Sequence, residues 1–191
     1  MFGDSPTLAE SGAILFHLAQ DTEYVPADAS GMIVRTARAD ELQRAGELCA
    51  DAYRTDGLSS ADYEQQLLDA AGRALSAAVL VAVDGRGRLL GSVTYVASGG
   101  PVAEIRYAHE AELRMLAVAP GCRGAGIGAT LVRAAIQRAL EDSLTGVVIS
   151  TGAQMRAAHR LYERLGFRRN RARDWSPRPG LRLDVYELPL D

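Results

Sequence analysis

The sequence predicts an α/β fold: a mixed, mostly antiparallel central sheet with a βαβ core and flanking helices. Short apolar runs of strand length alternate with longer stretches in which apolar residues recur at helical spacing. An apolar strand at 112–118 leads through a glycine-rich turn into an amphipathic helix, and another apolar strand follows at 147–150. This strand–helix–strand order favours two parallel strands within the sheet.

The first part of the domain is predicted to contain a strand and two helices. Residues 33–36 alternate like a short strand, and Asp40 with Gln43 has the chemistry of a capping box at the start of a helix. Asp56-Gly57 ends that helix. A second helix follows, and its apolar stripe consists of Tyr63, Leu67, Ala71 and Leu75.

The middle of the chain predicts a hairpin, a loop and a third helix. The strands 79–83 and 89–96 are joined across an Asp84-Gly85 turn, which is a strong hairpin signal. Residues 98–110 form a loop before the next strand. The helix after Gly128 has an apolar stripe made of Leu131, Val132, Ala135, Ile136, Ala139 and Leu140.

The end of the chain is predicted to close the sheet. The last helix ends near Gly166, where a glycine follows the helical pattern. Segments 167–173 and 182–188 then pair as a hairpin, and the segment 175–180, which contains two prolines, links them.

Composition and charge exclude several classes of protein. The chain has 191 residues, of which 48% are hydrophobic and 24% charged, as in one soluble globular domain. A net charge of −3 gives no reason to expect nucleic acid or an anionic membrane as a partner. No apolar run reaches the length of a membrane span, and the two cysteines form neither a metal-site spacing nor a disulfide framework. We therefore expect a cytoplasmic protein without a metal. All 21 basic residues are arginine, which indicates a GC-rich, bacterial genome.

The glycine-rich turn at 123–128 has the chemistry of a phosphate-binding loop. A helix begins where the turn ends, and its first N–H groups have no partners within the helix. Glycines allow φ > 0 and remove the Cβ atoms that would hold an anion at a distance. A Walker loop is excluded because the chain contains no lysine, and a dinucleotide-binding fingerprint needs a different glycine spacing and a later acidic residue. The remaining pattern is Arg-x-x-Gly-x-Gly, formed by Arg123, Gly126 and Gly128.

This pattern resembles the acetyl-CoA loop of the GNAT superfamily of N-acetyltransferases. A second block, Ala158-x-x-Leu161-Tyr162-x-x-x-Gly166-Phe167, is similar to the helix that ends the core of that family. The strand at 112–118 resembles the family's fourth strand, and the two blocks lie at the usual interval, with one helix and one strand between them. The resemblance extends from about Ile33 to Leu188.

The resemblance implies an enzyme that uses acetyl-CoA as co-substrate and moves its acetyl group to a primary amine by direct attack within a ternary complex. Backbone groups of the strand end and the loop would hold the pantetheine and the pyrophosphate, so proximity supplies part of the catalysis. The amide of Leu116 is expected to face the thioester oxygen. The cofactor-binding residues implied in this way are Leu116, Ala117, Val118, Arg123, Gly124, Ala125, Gly126, Ile127, Gly128 and Ala129.

The family also suggests how the chain divides. Met32 would be a natural first residue, so we expect an N-terminal extension at 1–31 before an acetyltransferase domain at 32–191. A short helix in the extension could cover a sheet edge or pack on a neighbouring subunit, which leaves a homodimer open. A disordered tail or a misassigned start codon is the alternative.

Two residues are expected to carry the proton transfers. An amine must lose a proton before it attacks, and Glu112, on the strand before the loop, is the base that the resemblance implies. Glu110, Glu104 and His109 are alternatives, and Glu112 could equally be a salt-bridged strand residue. Tyr162 is expected to donate a proton to the leaving thiolate, while its other interpretation is a core tyrosine on the helix stripe.

The acceptor site is expected between the first two helices, the loop before the fourth strand and the final hairpin. Carboxylates with aromatic rings there would suit a cationic amine, either a small molecule or a peptide N-terminus. A CoA-binding sensor or assembly module that has lost catalysis is the alternative function. The residues in question are Tyr53, Asp56, Asp62, Tyr63, Glu104, Tyr107, His109, Glu110 and Trp175.

Overall fold

The computed structural model describes residues 31–190, so the expected extension at 1–31 lies outside the described residues apart from Gly31. Within this range the chain forms eight strands: β1 (Ile33–Thr36), β2 (Ala78–Val83), β3 (Leu89–Val96), β4 (Glu110–Val118), β5 (Gly146–Gly152), β6 (Arg168–Arg169), β7 (Trp175–Arg178) and β8 (Leu181–Pro189). The α-helices are α1 (Leu42–Thr55), α2 (Ala61–Leu68), α3 (Ala70–Ala74), α4 (Ile127–Glu141) and α5 (Arg156–Arg164). Three short 3-10 turns lie at Ala39–Glu41, Pro120–Cys122 and Arg171–Arg173.

These strands form one sheet with the order β1-β2-β3-β4-β5-β8-β6, and β7 pairs with β8. All neighbours are antiparallel except β4 and β5, which are parallel and joined through α4. A parallel pair needs a long crossover connection, and α4 supplies it. The predicted fold class, a mostly antiparallel sheet with a βαβ core and flanking helices, is confirmed.

Helices cover both faces of the sheet. On one face α4 and α5 pack against it through a large core that includes Leu131 and Tyr162. On the other face α1 to α3 pack through two smaller clusters. The alternation along β2 explains the two cores, because successive side chains of a strand point to opposite faces. Leu80 and Ala82 join the large core, while Val81 joins a cluster on the other face.

The start of α1 differs from the predicted capping box of Asp40 and Gln43. A 3-10 turn at Ala39–Glu41 precedes the helix, and the carboxylate of Glu41 accepts a hydrogen bond from the amide of Arg38 at 2.8 Å. Gln43 instead donates to Glu47 one turn along the helix, at 3.0 Å. The carboxylate of Glu41 therefore caps the helix, and it also forms an ion pair with Arg35 at 2.6 Å. The sequence pattern around the helix start does not predict this ion pair.

The predicted second helix is two helices. Asp69 ends α2 and caps α3, since its carboxylate accepts from the amide of Gly72 at 2.8 Å. The break turns Leu75 out of the predicted stripe, and this side chain is 76% exposed. Leu140, predicted to lie on the apolar stripe of α4, is also exposed, at 43%, because it falls in the last turn.

Two turns also differ in detail from the prediction. The β2–β3 connection runs from Asp84 to Arg88, with the positive φ at Gly87 and not at Gly85. Asp84 stabilises this longer turn by accepting hydrogen bonds from two amides within it. Near the C-terminus, the segment predicted to be a linker contains strand β7, which pairs with β8.

Candidate active site

The parallel strands β4 and β5 separate part of the way along their length. Their pairing ends at Leu113 opposite Ile149, although β4 continues to Val118 and β5 to Gly152. Beyond that point, no strand among the described residues pairs with this edge of β4. Met115 has φ of 53° where the β3–β4 register shifts, so a bulge lies at the point of separation. The result is a cleft with unpaired backbone groups of Leu116 to Val118 on one side.

The glycine loop lies between the end of β4 and the start of α4. Gly124 and Gly126 both have φ of 81°, a left-handed conformation that favours glycine, and Gly126 is the N-cap of α4. A Cβ at either position would meet no atom within 4 Å, so the space above the loop is open. The amides of Ile127, Gly128 and Ala129 donate no hydrogen bond within the part of the chain that the structure describes. Open space and free N–H groups at a helix N-terminus fit a pyrophosphate group.

The side chain of Arg123 is turned away from this space. Its guanidinium makes a double contact with the carboxylate of Asp56, at 2.7 and 3.1 Å, and also donates to the carbonyl of Ala52 at 3.3 Å. Arg123 thereby ties the glycine loop to the end of α1. The side chain of Arg123 is a structural link between the glycine loop and α1.

A cavity of about 540 Å³ opens beside the cleft. Four of the nine side chains predicted for the acceptor site line it: Tyr53, Asp62, Tyr63 and Glu104. Asp56, Tyr107, His109, Glu110 and Trp175 do not. The lining also includes residues that were not predicted for the acceptor site, among them Ser60, Gln66, Arg114, Met115, Gln154 and Arg178. Arg114 could have been found from its place two residues after Glu112 on the same strand, but Arg178 lies in the segment taken for a linker.

Glu112 has a structural task in this arrangement. The residue is fully buried, and one carboxylate oxygen accepts hydrogen bonds from three successive loop amides, those of Glu104, Ile105 and Arg106, at 2.9, 3.0 and 3.3 Å. Glu112 does not line the cavity. This oxygen fixes the loop, while the other, Oε1, has no hydrogen-bond partner within residues 31–190 and lies 3.9 Å from Nε of Arg114. The assignment of Glu112 as the base stays a prediction.

Glu104 is the carboxylate that reaches the cavity. Its side chain is 28% exposed and forms an ion pair with Arg114 at 2.5 Å. Burial raises the pKa of Glu104, the charge of Glu112 adds to this, and Arg114 counters both. A partly buried carboxylate with a raised pKa beside a cavity has the properties of a general base.

The other two candidate bases lie outside the cavity. Glu110 is buried and is held by Arg173 at 2.7 and 2.8 Å, so that its pKa is lowered although burial alone would raise it. Tyr107 lies under the same guanidinium at 4.1 Å and stacks with His109. These residues form a cluster that braces the loop before β4.

Tyr162 lies in the large core and, like Glu112, is not among the residues that line the cavity. It is 2% exposed, its ring contacts Phe167 and Tyr186, and burial raises its pKa well above the usual range. Tyr162 also contributes to raising the pKa of Tyr53, a residue that lines the cavity. The phenol of Tyr162 therefore stays protonated, as a proton donor must be. Both interpretations of this residue, acid and core tyrosine, fit these contacts.

A sheet that opens beside a glycine loop, together with a cavity at the opening, fits a protein that binds a phosphate-bearing donor. Residues 37–167 match the model of a family described as Acetyltransferase (GNAT) family. The chain belongs to the GNAT acetyltransferase family, whose co-substrate is acetyl-CoA.

Curated relatives share only part of their length with this chain. N-acetylaspartate synthetase of Danio rerio is 47% identical over 58 residues, which is 30% of this chain and 21% of the relative. The Rattus norvegicus protein of the same name is 40% identical over 76 residues, or 40% of this chain and 25% of the relative. The chain thus spans about a quarter of the length of these relatives.

Solved structures show the same fold. A GNAT-family acetyltransferase of Staphylococcus aureus Mu50 superposes with a TM-score of 0.66 at 17% identity, over 84% of this chain and 99% of that one. A Salmonella typhimurium structure that contains acetyl-CoA superposes with a TM-score of 0.63 at 21% identity, over 84% of this chain and 95% of that one. A GCN5-related N-acetyltransferase of Kribbella flavida superposes with a TM-score of 0.64 at 22% identity, over 85% of this chain and 100% of that one. Over residues 31–190, the protein contains no helix with both the length and the apolar character needed to cross a membrane.

Proposed function

We propose that this chain acetylates a primary amine by direct attack on acetyl-CoA within a ternary complex. The observation that carries the proposal is that the cavity opens at the separation of β4 and β5, beside the glycine loop. Two substrates held in these two places would meet at the cleft, and holding them there lowers the entropic part of the barrier. The shared fold and the family support the donor, while the acceptor has to be argued from the cavity.

The donor is proposed to lie along β4 and the N-terminus of α4. The free edge of Leu116 to Val118 would pair with the amide groups of the pantetheine arm, and the amides of residues 123–129 would bind the pyrophosphate. When bound, acetyl-CoA supplies an activated acetyl group as a thioester. The bulge at Met115 reorients the following backbone, and the amide of Leu116 is the proposed donor to the thioester oxygen.

Glu104 is the proposed base for the amine. It lines the cavity, and its ion pair with Arg114 keeps the carboxylate in place. Its raised pKa makes it a stronger proton acceptor than an exposed glutamate. Glu112, eight residues further on, holds the loop that carries Glu104 and acts as a positioning residue.

Tyr162 is proposed to give its phenolic proton to the leaving thiolate. Its raised pKa keeps the proton in place until the thiolate forms, and the helix that carries it, α5, lies close to the start of α4. This closeness follows from the packing at Gly128, where an added Cβ would lie 3.4 Å from the side chain of Leu161.

The curated relatives suggest which acceptors to try first. Their name states that they make N-acetylaspartate, so amino acids belong in any acceptor panel beside polyamines and peptides. The alternative function is a sensor that binds acetyl-CoA without transferring the acetyl group. It differs from the proposal in one observable respect, the release of free thiol in the presence of an amine.

The test is thiol release from acetyl-CoA with this panel, with the acetylated product identified by mass. We expect turnover of at least one primary amine, and a fall of about 100-fold or more in kcat for Tyr162→Phe, since a general acid contributes on this scale. Tyr107→Phe is the matched control because this tyrosine is exposed and lies outside the cavity. Acetyl-CoA binding without turnover of any amine would support the sensor and contradict the enzyme.

A further inference from the structure

Most of the carboxylates that were expected to attract a cationic amine are already paired. Of the four acids expected in the acceptor site, only Asp62, which lines the cavity, lacks an ion pair within residues 31–190. Two acids line the cavity, Asp62 and Glu104, and two arginines line it as well, Arg114 and Arg178. The lining charges therefore balance, and the cavity gives little preference for extra positive charge. The ion pairs in question are Asp56–Arg123 at 2.7 Å, Glu110–Arg173 at 2.7 Å and Glu104–Arg114 at 2.5 Å.

Arg178 brings a positive charge to the same cavity. It lies on β7, where the turn to β8 pairs it with Leu181, and it lines the cavity wall. Its guanidinium donates to the hydroxyl of Ser60 at 3.2 Å, across the mouth of the cavity, and has no carboxylate partner within residues 31–190. Its neighbours in the same hairpin region differ: Arg182 and Arg169 both pair with Asp174.

We infer that the acceptor is an amine that also carries a carboxylate, such as an amino acid, and that Arg178 binds this carboxylate. The inference rests on the proposed function. A guanidinium offers a planar pair of donors that matches a carboxylate, and the hydroxyl of Ser60 beside it is a further donor. The amine end of such an acceptor points into the cavity, towards Glu104. Asp62, which also lines the cavity, would pair with the protonated amine of the acceptor as it enters.

The test compares amines that carry a carboxylate with amines that do not. Alanine and aspartate are paired with alaninamide and aspartate diamide, and ethylamine and spermidine represent amines without a carboxylate. We expect kcat/KM for the acids to exceed that for their amides by about tenfold or more, because a charge-assisted bidentate contact is lost in the amide. Arg178→Gln should remove this preference mainly through KM for the acids, and should change the amides by less than about twofold. Arg171→Gln, an exposed arginine outside the cavity, is the matched control.

The outcomes separate this inference from the proposed function. Equal or faster turnover of the amides or of spermidine overturns the carboxylate inference and leaves the acetyltransferase standing. If nothing turns over, calorimetric titration of each acid and amide into the complex with CoA decides the inference, because a lack of preference for the acids overturns it. Failure of acetyl-CoA itself to bind overturns the proposed function.

Discussion

Two carboxylates on or next to β4 illustrate how position decides function at the scale of single residues. Glu112 is buried and accepts hydrogen bonds from three loop amides. Glu104 donates one of these bonds through its own amide, and its residue lines the cavity. The sequence could identify both as acids near the loop. It could not show that loop amides bind one oxygen of Glu112, because these contacts depend on how residues 98–109 fold back over the strand.

Replacing each of these two glutamates by glutamine should therefore give opposite results. Glu104→Gln should lower kcat/KM about 100-fold, the scale of a general base, with little change in the free energy of unfolding. Glu112→Gln should lower the free energy of unfolding by about 2 kcal/mol, because a carboxylate that three buried amides bind is replaced by a neutral amide. Thiol release and urea unfolding measure the two effects, and Glu47→Gln on the exposed face of α1 is the control. A reversed pattern would support Glu112 as the base.

At the scale of elements, α1 packs very closely against the end of α2 at Gly46, and the sequence does not predict this contact. A Cβ added at Gly46 would lie 2.0 Å from the carbonyl oxygen of Leu68, at the end of α2. Gly46→Ala should therefore lower the free energy of unfolding by about 2 kcal/mol or more, since overpacking against backbone cannot be relieved by a rotamer change. Gly99→Ala, where the Cβ would meet nothing within 4 Å, should change it by less than about 0.5 kcal/mol. Urea unfolding measures both, and equal effects would contradict the crossing.

The start of the same helix depends on an ion pair that responds to pH. Hydrogen bonding to Arg35 lowers the pKa of Glu41 from 4.5 to about 2. A lowered carboxyl pKa stabilises the fold fully above pH 4.5, and this stabilisation is lost as the pH falls towards 2. Glu41→Gln should therefore cost about 2 kcal/mol at pH 7, with the difference from wild type shrinking between pH 4.5 and 2. Urea unfolding at several pH values checks this, and a difference independent of pH would show that the charge is not responsible.

The elements show how far the sequence alone can be taken. Hydrophobic periodicity predicted β2, β3, β4, α4 and β5 in order, because each has a long enough apolar pattern. It failed where one polar residue decides the outcome: Asp69 divides the second helix, and Glu41 replaces the expected capping pair. It also missed β7, a four-residue strand with a proline, which is held by pairing with β8 and not by its own pattern.

At the scale of the whole molecule, the sheet consists of two halves, β1 to β4 and β5 to β8, and the strands at their junction, β4 and β5, separate after Leu113 and Ile149. The halves are joined through β4 and β5, and α4 begins at the glycine loop beside the separation. Most of this arrangement was predictable from the two sequence blocks that resemble the family. The cavity could be predicted only in part, because its walls come from α1, α2, β4, β5 and the β7–β8 hairpin, which are distant in sequence.

The most direct test of the central claim is a calorimetric titration of acetyl-CoA into the wild-type protein and Gly126→Ala. An alanine at φ of 81° is strained and would place a methyl group in the open space above the loop. Gly87→Ala is the matched control, since Gly87 has φ of 76° and equally open space, in a turn that is far from the glycine loop along the sequence. We predict one binding site in the wild type, unchanged in Gly87→Ala, and affinity about tenfold weaker or worse in Gly126→Ala. Absence of binding to the wild type, or equal affinity for all three proteins, would contradict the account.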